Sequence, residues 1–393
     1  MNILNKTGSI VLATVPILGI YRFYQGINFD ILILSLFALI QVLYVQKVNF
    51  KAGILGYFGV LLVINLLSFI LTDNQISSIF ISNTLYIICF ALLLGYYVTF
   101  EPDDLFVRSI LFIGIISTVL VFYQAILFRL FGISSVLFFP LDMVIPPAPD
   151  FPSITYGRPN SIFTEPAHYA IFILPLLWYS IVNQKHLLTG LFIAGLVLST
   201  SVTGLVVGLI ILLLQTVFKE KNLKVLPVIV LLSLGLLVVF PEIFSNVKYF
   251  ILPKITDIET LTKSERFFST FIVFSKMDFF SILFGLGHNQ LKEFMLQNGM
   301  PNAWNFANSF LMSVFSFGIL GLILLLFFLY YLYKINNDKG YFIILFLILM
   351  SDQILFNRNF FYLITCIFLI KDTKDKSDNI VIEEDNKEIL ETV

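Results

Sequence analysis

Arg158, Glu165 and His168 fall together in the run Arg158-Pro159-Asn160-Ser161-Ile162-Phe163-Thr164-Glu165-Pro166-Ala167-His168-Tyr169. A fixed cation can stabilise developing negative charge, while a carboxylate or an imidazole can move a proton. Arg158 precedes a proline, which holds its backbone extended and presents the side chain rather than packing it into a helix. Glu165-Pro166 reads as a helix start, with proline at the first helical position and Thr164 or Glu165 able to cap the open amides. A helix N-terminus also attracts anions. His168 follows Glu165 by three residues, so both project from nearly one face of the first turn. The alternative is structural: an N-cap glutamate beside a histidine and an arginine that snorkel to an interface. Both readings stay open for Glu165 and His168. Arg158 favours function, because an arginine fixed by proline beside the cluster adds little stability.

Other groups of the same kind lie further along. Ser199-Thr200-Ser201-Val202-Thr203-Gly204 interrupts a long apolar run. Its hydroxyls can satisfy backbone groups freed by a broken helix, or Ser199, Ser201 and Thr203 can line a polar cavity for sugar or phosphate. Arg266, in Lys263-Ser264-Glu265-Arg266, offers a planar fork suited to two phosphate oxygens, or else pairs with Glu265. Gly285-Leu286-Gly287-His288 reads as a turn with His288 exposed. Asn308 stands where a helix-capping amide belongs, and Arg358 with Asp352 marks the apex of a final hairpin, as an interfacial ion pair rather than as catalysts; His288, Asn308 and Arg358 are also candidates for substrate binding.

The scaffold that must position these groups is apolar. Hydrophobic residues make up 58% of 393 residues, charged residues 12%, and mean hydropathy is +0.94. Ordinary soluble domains carry about 25% charged residues, so the composition points to a polytopic helical membrane protein. The 44 Phe and 17 Tyr suit lipid-facing surfaces and interfacial belts. A net charge of -1 gives no footprint for nucleic acid. Cys89 and Cys366 lie far apart in apolar runs and read as free, buried thiols.

Apolar runs of bridging length occupy 8–24, 29–46, 52–71, 79–99, 105–131 and 166–183. The first has no cleavage pattern of small residues and is read as a helix rather than a signal peptide. The run 187–218 is too long for one crossing and divides at 199–203. Further runs fill 225–241, 306–333, 340–352 and 354–370, which makes about twelve transmembrane helices in one domain, 1–370. Lys6, Lys47 with Lys51, Lys185, the Lys219 to Lys224 group, Lys334 with Lys339, and Lys371 with Lys374 fall on alternate sides of successive spans. On the positive-inside rule they face the cytoplasm, as do both termini, and Arg22 is the one violation. Two long outer segments remain. The first, 132–165, is broken by prolines; the second, 242–305, contains an apolar surface helix near 267–284 interrupted by Lys276 and Asp278. The acidic tail 371–393 reads as a disordered appendage.

No Walker loop, dinucleotide fingerprint, HExxH or paired CxxC occurs, so the expectation is that no cofactor and no metal is bound. The order of features resembles the O-antigen polymerase (Wzy) and O-antigen ligase family of bacterial membrane glycosyltransferases. The resemblance rests on the 158–169 run, the break at 199–204, Arg266, Phe284-Gly285-Leu286-Gly287-His288, Asn308-Ser309-Phe310-Leu311 and Phe317-Gly318-Ile319-Leu320-Gly321. It spans roughly 155–335, with the first five spans similar only in hydropathy.

That resemblance implies a GT-C-like bundle in the bacterial cytoplasmic membrane with a large extracytoplasmic loop. It also implies glycosyl transfer on undecaprenyl-diphosphate-linked oligosaccharides without a metal, with a flippase and a chain-length regulator as partners. Ligases of the family carry a histidine directly before the asparagine that aligns with Asn308. Ala307 stands there instead, which favours polymerase over ligase. A flippase for the same lipid-linked glycans is the other alternative, although its basic groups would line a path between the two faces. In the mechanism so implied, Arg158 and Arg266 grip the diphosphate and Glu165 accepts the proton of the acceptor hydroxyl, with His168 as the second candidate base.

Overall fold

The computed structural model describes residues 2–18, 21–24, 27–44, 52–71, 84–85, 87–88, 91, 104–133, 158–215, 265–288, 290–300, 308–335, 339–355 and 357–367. The regular structure among these residues is helical apart from one small ribbon. Chain order is α1 (Asn2–Leu18), β1 (Arg22–Tyr24), β2 (Ile27–Asn28), α2 (Phe29–Tyr44), α3 (Ala52–Leu71) and α4 (Asp104–Phe131). Then come α5 (Pro166–Val182), α6 (His186–Ser199), α7 (Val202–Leu213), α8 (Glu265–Lys276), α9 (Phe279–Phe284), α10 (Leu291–Gln297), α11 (Ser309–Ile335), α12 (Lys339–Ser351) and α13 (residues 358–367).

Two helical stretches, Leu105–Phe131 and Ser309–Lys334, are long and apolar enough to cross a bilayer; six other apolar helices are shorter. The expected spans 29–46, 52–71, 105–131, 166–183, 306–333 and 340–352 coincide with helices to within a few residues. The first run differs. Its helix ends at Leu18 and the chain pairs as an antiparallel ribbon at Arg22–Tyr24. The apolar residues of 21–24 therefore extend no helix, because Phe29 donates its amide back to the Tyr21 carbonyl at 2.8 Å. The surface helix expected near 267–284 is two helices, broken where Asp278 accepts the Ser281 amide at 2.8 Å and starts α9. The run 225–241 and the tail 371–393 lie outside the described residues.

α5 is the centre of the bundle. Its residues from Tyr169 to Ser180 are buried without interruption, as an all-round apolar helix must be. α4, α6, α7 and α12 pack around it. Thr118 of α4 and the Tyr169 hydroxyl share a hydrogen bond of 2.9 Å. Tyr362 of α13 stacks on Phe172 at 4.7 Å and donates its hydroxyl to the Phe172 carbonyl at 3.0 Å. The Tyr341 hydroxyl of α12 reaches the Leu363 carbonyl of α13 at 2.9 Å. On the other flank α3 lies along α11, with Tyr57 stacked on Phe328 at 4.2 Å.

α11 is kinked. Gly318 adopts φ 69 and ψ -169, a conformation almost confined to glycine, and so releases carbonyls from the helical ladder. Leu286 and Gly287 donate their amides to the Phe315 and Ser316 carbonyls at 2.8 and 3.0 Å. Gly285, at φ 84, lets the two backbones approach, since a Cβ there would meet the Ser316 and Phe317 main chain. The two glycine motifs picked out in the sequence are thus one joint.

These contacts bring the C-terminal ends of α3, α4, α6 and α12 to the same end of the bundle as the N-terminal ends of α5, α7, α11 and α13. The 158–165 segment lies at that end.

Candidate functional site

The segment 158–165 is anchored from below by Gln124, a buried amide in the second half of α4. Gln124 Oε1 accepts the amides of Asn160 and Ser161 at 3.0 and 2.7 Å, and its Nε2 donates to Asn160 Oδ1 at 3.1 Å. Asn160 Nδ2 in turn donates to the Phe163 carbonyl at 2.5 Å, and Phe163 is buried against Phe172. Ser161 adopts φ 57, outside the usual range for a residue with a side chain. The result is a tight turn delivering Glu165 to the start of α5.

Arg158, half-buried, reaches across to the junction of α6 and α7. Its Nε donates to Thr200 Oγ1 at 2.9 Å and its Nη2 to the Thr200 carbonyl at 2.7 Å. Thr200 is the C-cap of α6 and sits at φ 53, a left-handed conformation unusual for a β-branched residue. Strain of this kind tends to gather at working sites. Here it turns the carbonyl and hydroxyl of one residue toward one guanidinium. Burial draws Arg158 below its ordinary pKa, and the nearby Glu165 carboxylate opposes that shift. Arginine is charged in either setting, so the site carries a fixed cation beside a carboxylate.

Glu165 occupies the N-cap position of α5, with φ -141 and ψ 153, but its side chain makes no cap hydrogen bond. Thr164 does not cap either: its hydroxyl meets His168 Nδ1 at 2.6 Å. That contact fixes the ring, and Arg358, at the start of α13, lies close enough to His168 to interact with it electrostatically. Arg158, Glu165, His168 and Arg358 therefore belong to one cluster at the mouth of α5.

The remaining expected residues divide. Ser199 donates its hydroxyl to the Leu196 carbonyl at 2.8 Å, and Ser201 caps α7 by accepting the Gly204 amide at 3.2 Å. Both satisfy the broken helix, the structural role weighed above, while Thr203 lies half-buried in the first turn of α7. Asn308 caps α11 through Oδ1, which accepts the Leu311 amide at 2.9 Å. Asp352 contributes its main chain, accepting both the amide and the hydroxyl of Ser309 at 3.1 and 2.6 Å.

His288 is not exposed as expected. It is buried, stacks on Phe317 at 5.7 Å, and donates its amide to Asn65 at 3.2 Å. The glycine turn folds inward onto the α11 kink, which carries the histidine with it. Arg266 lies in the first turn of α8, and its side chain lies outside the described residues.

Thr200, Gln124 and Asn160 were not singled out in the sequence as working residues. The lone glutamine in the apolar stretch of α4 was the available signal. No protein-family model, curated protein or solved structure matches this chain.

Proposed function

We propose that this chain is a metal-independent glycosyltransferase, a bacterial surface-polysaccharide polymerase that joins undecaprenyl-diphosphate-linked repeat units at the outer face of the cytoplasmic membrane. The observation that carries the reading is the Arg158 guanidinium, held by Thr200 through two hydrogen bonds and set beside the Glu165 carboxylate. Those bonds use one part of the guanidinium and leave the remaining N–H groups for an anion. Apolar side chains on the outward faces of the bundle, such as Ile70, Phe112 and Phe327, support placement in lipid. So does the composition, and a bundle of about twelve helices is part of the same proposal.

In this reading an acceptor hydroxyl of one lipid-linked repeat attacks the anomeric carbon of a second glycan. A glycosidic C–O bond forms as the C–O bond to the carrier diphosphate breaks. The hydroxyl proton passes to Glu165, or to His168 as second candidate, and the diphosphate leaves with the bonding electrons. Arg158 stabilises the charge that develops on the leaving oxygen. Arg358 stands where it can share that role, beside the Arg266 contribution drawn from the family resemblance.

The test is the surface glycan of a deletion strain complemented by variants at matched protein level. Single capped repeats in the deletion strain support the proposal. Unattached long chains would point to a ligase, and accumulation at the inner face to a flippase. Arg158→Lys cannot reproduce the two-point grip on Thr200, and polymerisation is expected to fall about 10²–10³-fold, the scale of losing one aimed donor. Full polymerisation in Arg158→Lys would overturn the grip, and full polymerisation in Glu165→Gln would overturn the base assignment.

A further inference from the structure

A second polar hollow lies apart from the arginine cluster, where α8, α9 and α10 meet the C-terminal end of α3. Its volume is about 310 Å³, and Lys276, Asp278, Gln290, Glu293, Phe294 and Gln297 contribute to its wall. That volume falls at the lower end of small-molecule sites, about 300–1,000 Å³.

Gln290 is the informative residue. It is only 6% exposed, stands at the N-cap of α10, and makes no side-chain cap bond there. Among the described residues its amide has no hydrogen-bond partner, although it faces the hollow. The residue is largely buried, and its amide opens onto the solvent of the hollow. A ligand that supplies both a donor and an acceptor can replace that solvent at the amide.

The rest of the wall narrows the class. Two acidic side chains stand against one basic one, so an anion such as a diphosphate is disfavoured. The Ser281 hydroxyl and amide hold the Asp278 carboxyl below its ordinary range, which keeps it charged. Carboxylates and amides mixed around a single aromatic ring suit hydroxyl groups on one face of a ligand and C–H groups on the other. The geometry points to a binding site for a neutral or amino-bearing glycan segment, of mono- or disaccharide size, that holds the sugar chain of a substrate away from the reacting diphosphate. This inference rests on the proposed polymerase reading for its role, though not for the existence of the site.

The test uses the full chain in lipid nanodiscs. The probe is a phosphate-free oligosaccharide released by mild acid from the producing strain's own surface polysaccharide, titrated by calorimetry and by saturation-transfer NMR. Wild type is expected to bind. Gln290→Leu, and independently Gln297→Trp, which plugs the hollow from an exposed position, should each weaken binding about tenfold or more. Arg158→Lys should bind as wild type does.

Absence of binding by wild type would overturn the inference. So would unchanged binding in both hollow variants, or equal competition by inorganic diphosphate or a peptide. Failure of the parent reading is separable. A deletion strain that still makes long polymer, with the oligosaccharide bound and lost in Gln290→Leu, removes the polymerase and keeps the site. Single capped repeats in the deletion strain without binding remove the site alone.

Discussion

Replacing Gln124 by leucine tests whether the 158–165 segment is held from beneath by one buried amide. The substitution keeps apolar bulk in α4 and touches none of the proposed reacting groups. It removes the acceptor for two main-chain amides, those of Asn160 and Ser161, at 3.0 and 2.7 Å. Each buried N–H left without a partner costs about 1–3 kcal/mol, so the pair brackets about 2–6 kcal/mol. The segment can swing toward water to recover part of this, and the effect should appear as local opening of about 3 kcal/mol rather than global unfolding. Such a change raises amide exchange about a hundredfold.

Hydrogen–deuterium exchange of peptides covering 158–165, in nanodiscs, reads it directly. Gln124→Glu keeps the acceptor and loses the donor to Asn160, so it should fall between wild type and Gln124→Leu. On the proposed polymerase reading, activity should drop in the same order, because Arg158 and Glu165 lose their support. Unchanged exchange over 158–165 in Gln124→Leu would refute the anchoring argument.

Three other outcomes are expected. Gly318→Ala should destabilise the chain by at least about 3 kcal/mol, from the disallowed backbone and the collision with the Leu283 main chain, and thermal melts will measure it. Ser161→Gly should hold or raise the melting temperature, since it removes left-handed strain and a buried hydroxyl without a hydrogen-bond partner among the described residues.

The His288 ring has its pKa pushed by burial from 6.5 down to about 4. In that window the unfolded chain binds more protons, so the stability present above about pH 6.5 should be lost as pH falls toward 4, by about 3 kcal/mol in all. In His288→Phe, which keeps a ring against Phe317, melts across that range should show a smaller pH slope than wild type.

Much of the architecture was legible in the chain itself. Length and apolarity of the runs marked α2, α3, α4, α5, α11 and α12, because a helix that buries or wets apolar side chains all round needs no partner to declare its period. Pro166 after Glu165 announced the start of α5, and the Ser/Thr break announced the gap between α6 and α7, since both act through local backbone geometry. Arg22–Tyr24 misled for the opposite reason: its apolar residues continue the run, and only pairing with Ile27–Asn28 ends the helix before them.

What the fold alone decided was proximity. Hydropathy placed Arg158, Thr200 and Arg358 near one face but could not say which of them meet. The grip of Thr200 on Arg158 depends on a left-handed residue between two helices that pack against α5, and the nearness of Arg358 to His168 depends on α13 lying beside that same helix. His288 shows the limit most plainly. Its neighbouring glycines promised an exposed turn, yet the kink at Gly318 supplied carbonyls that drew the turn inward. Local backbone preference is written in adjacent residues, whereas burial is set by partners far along the chain.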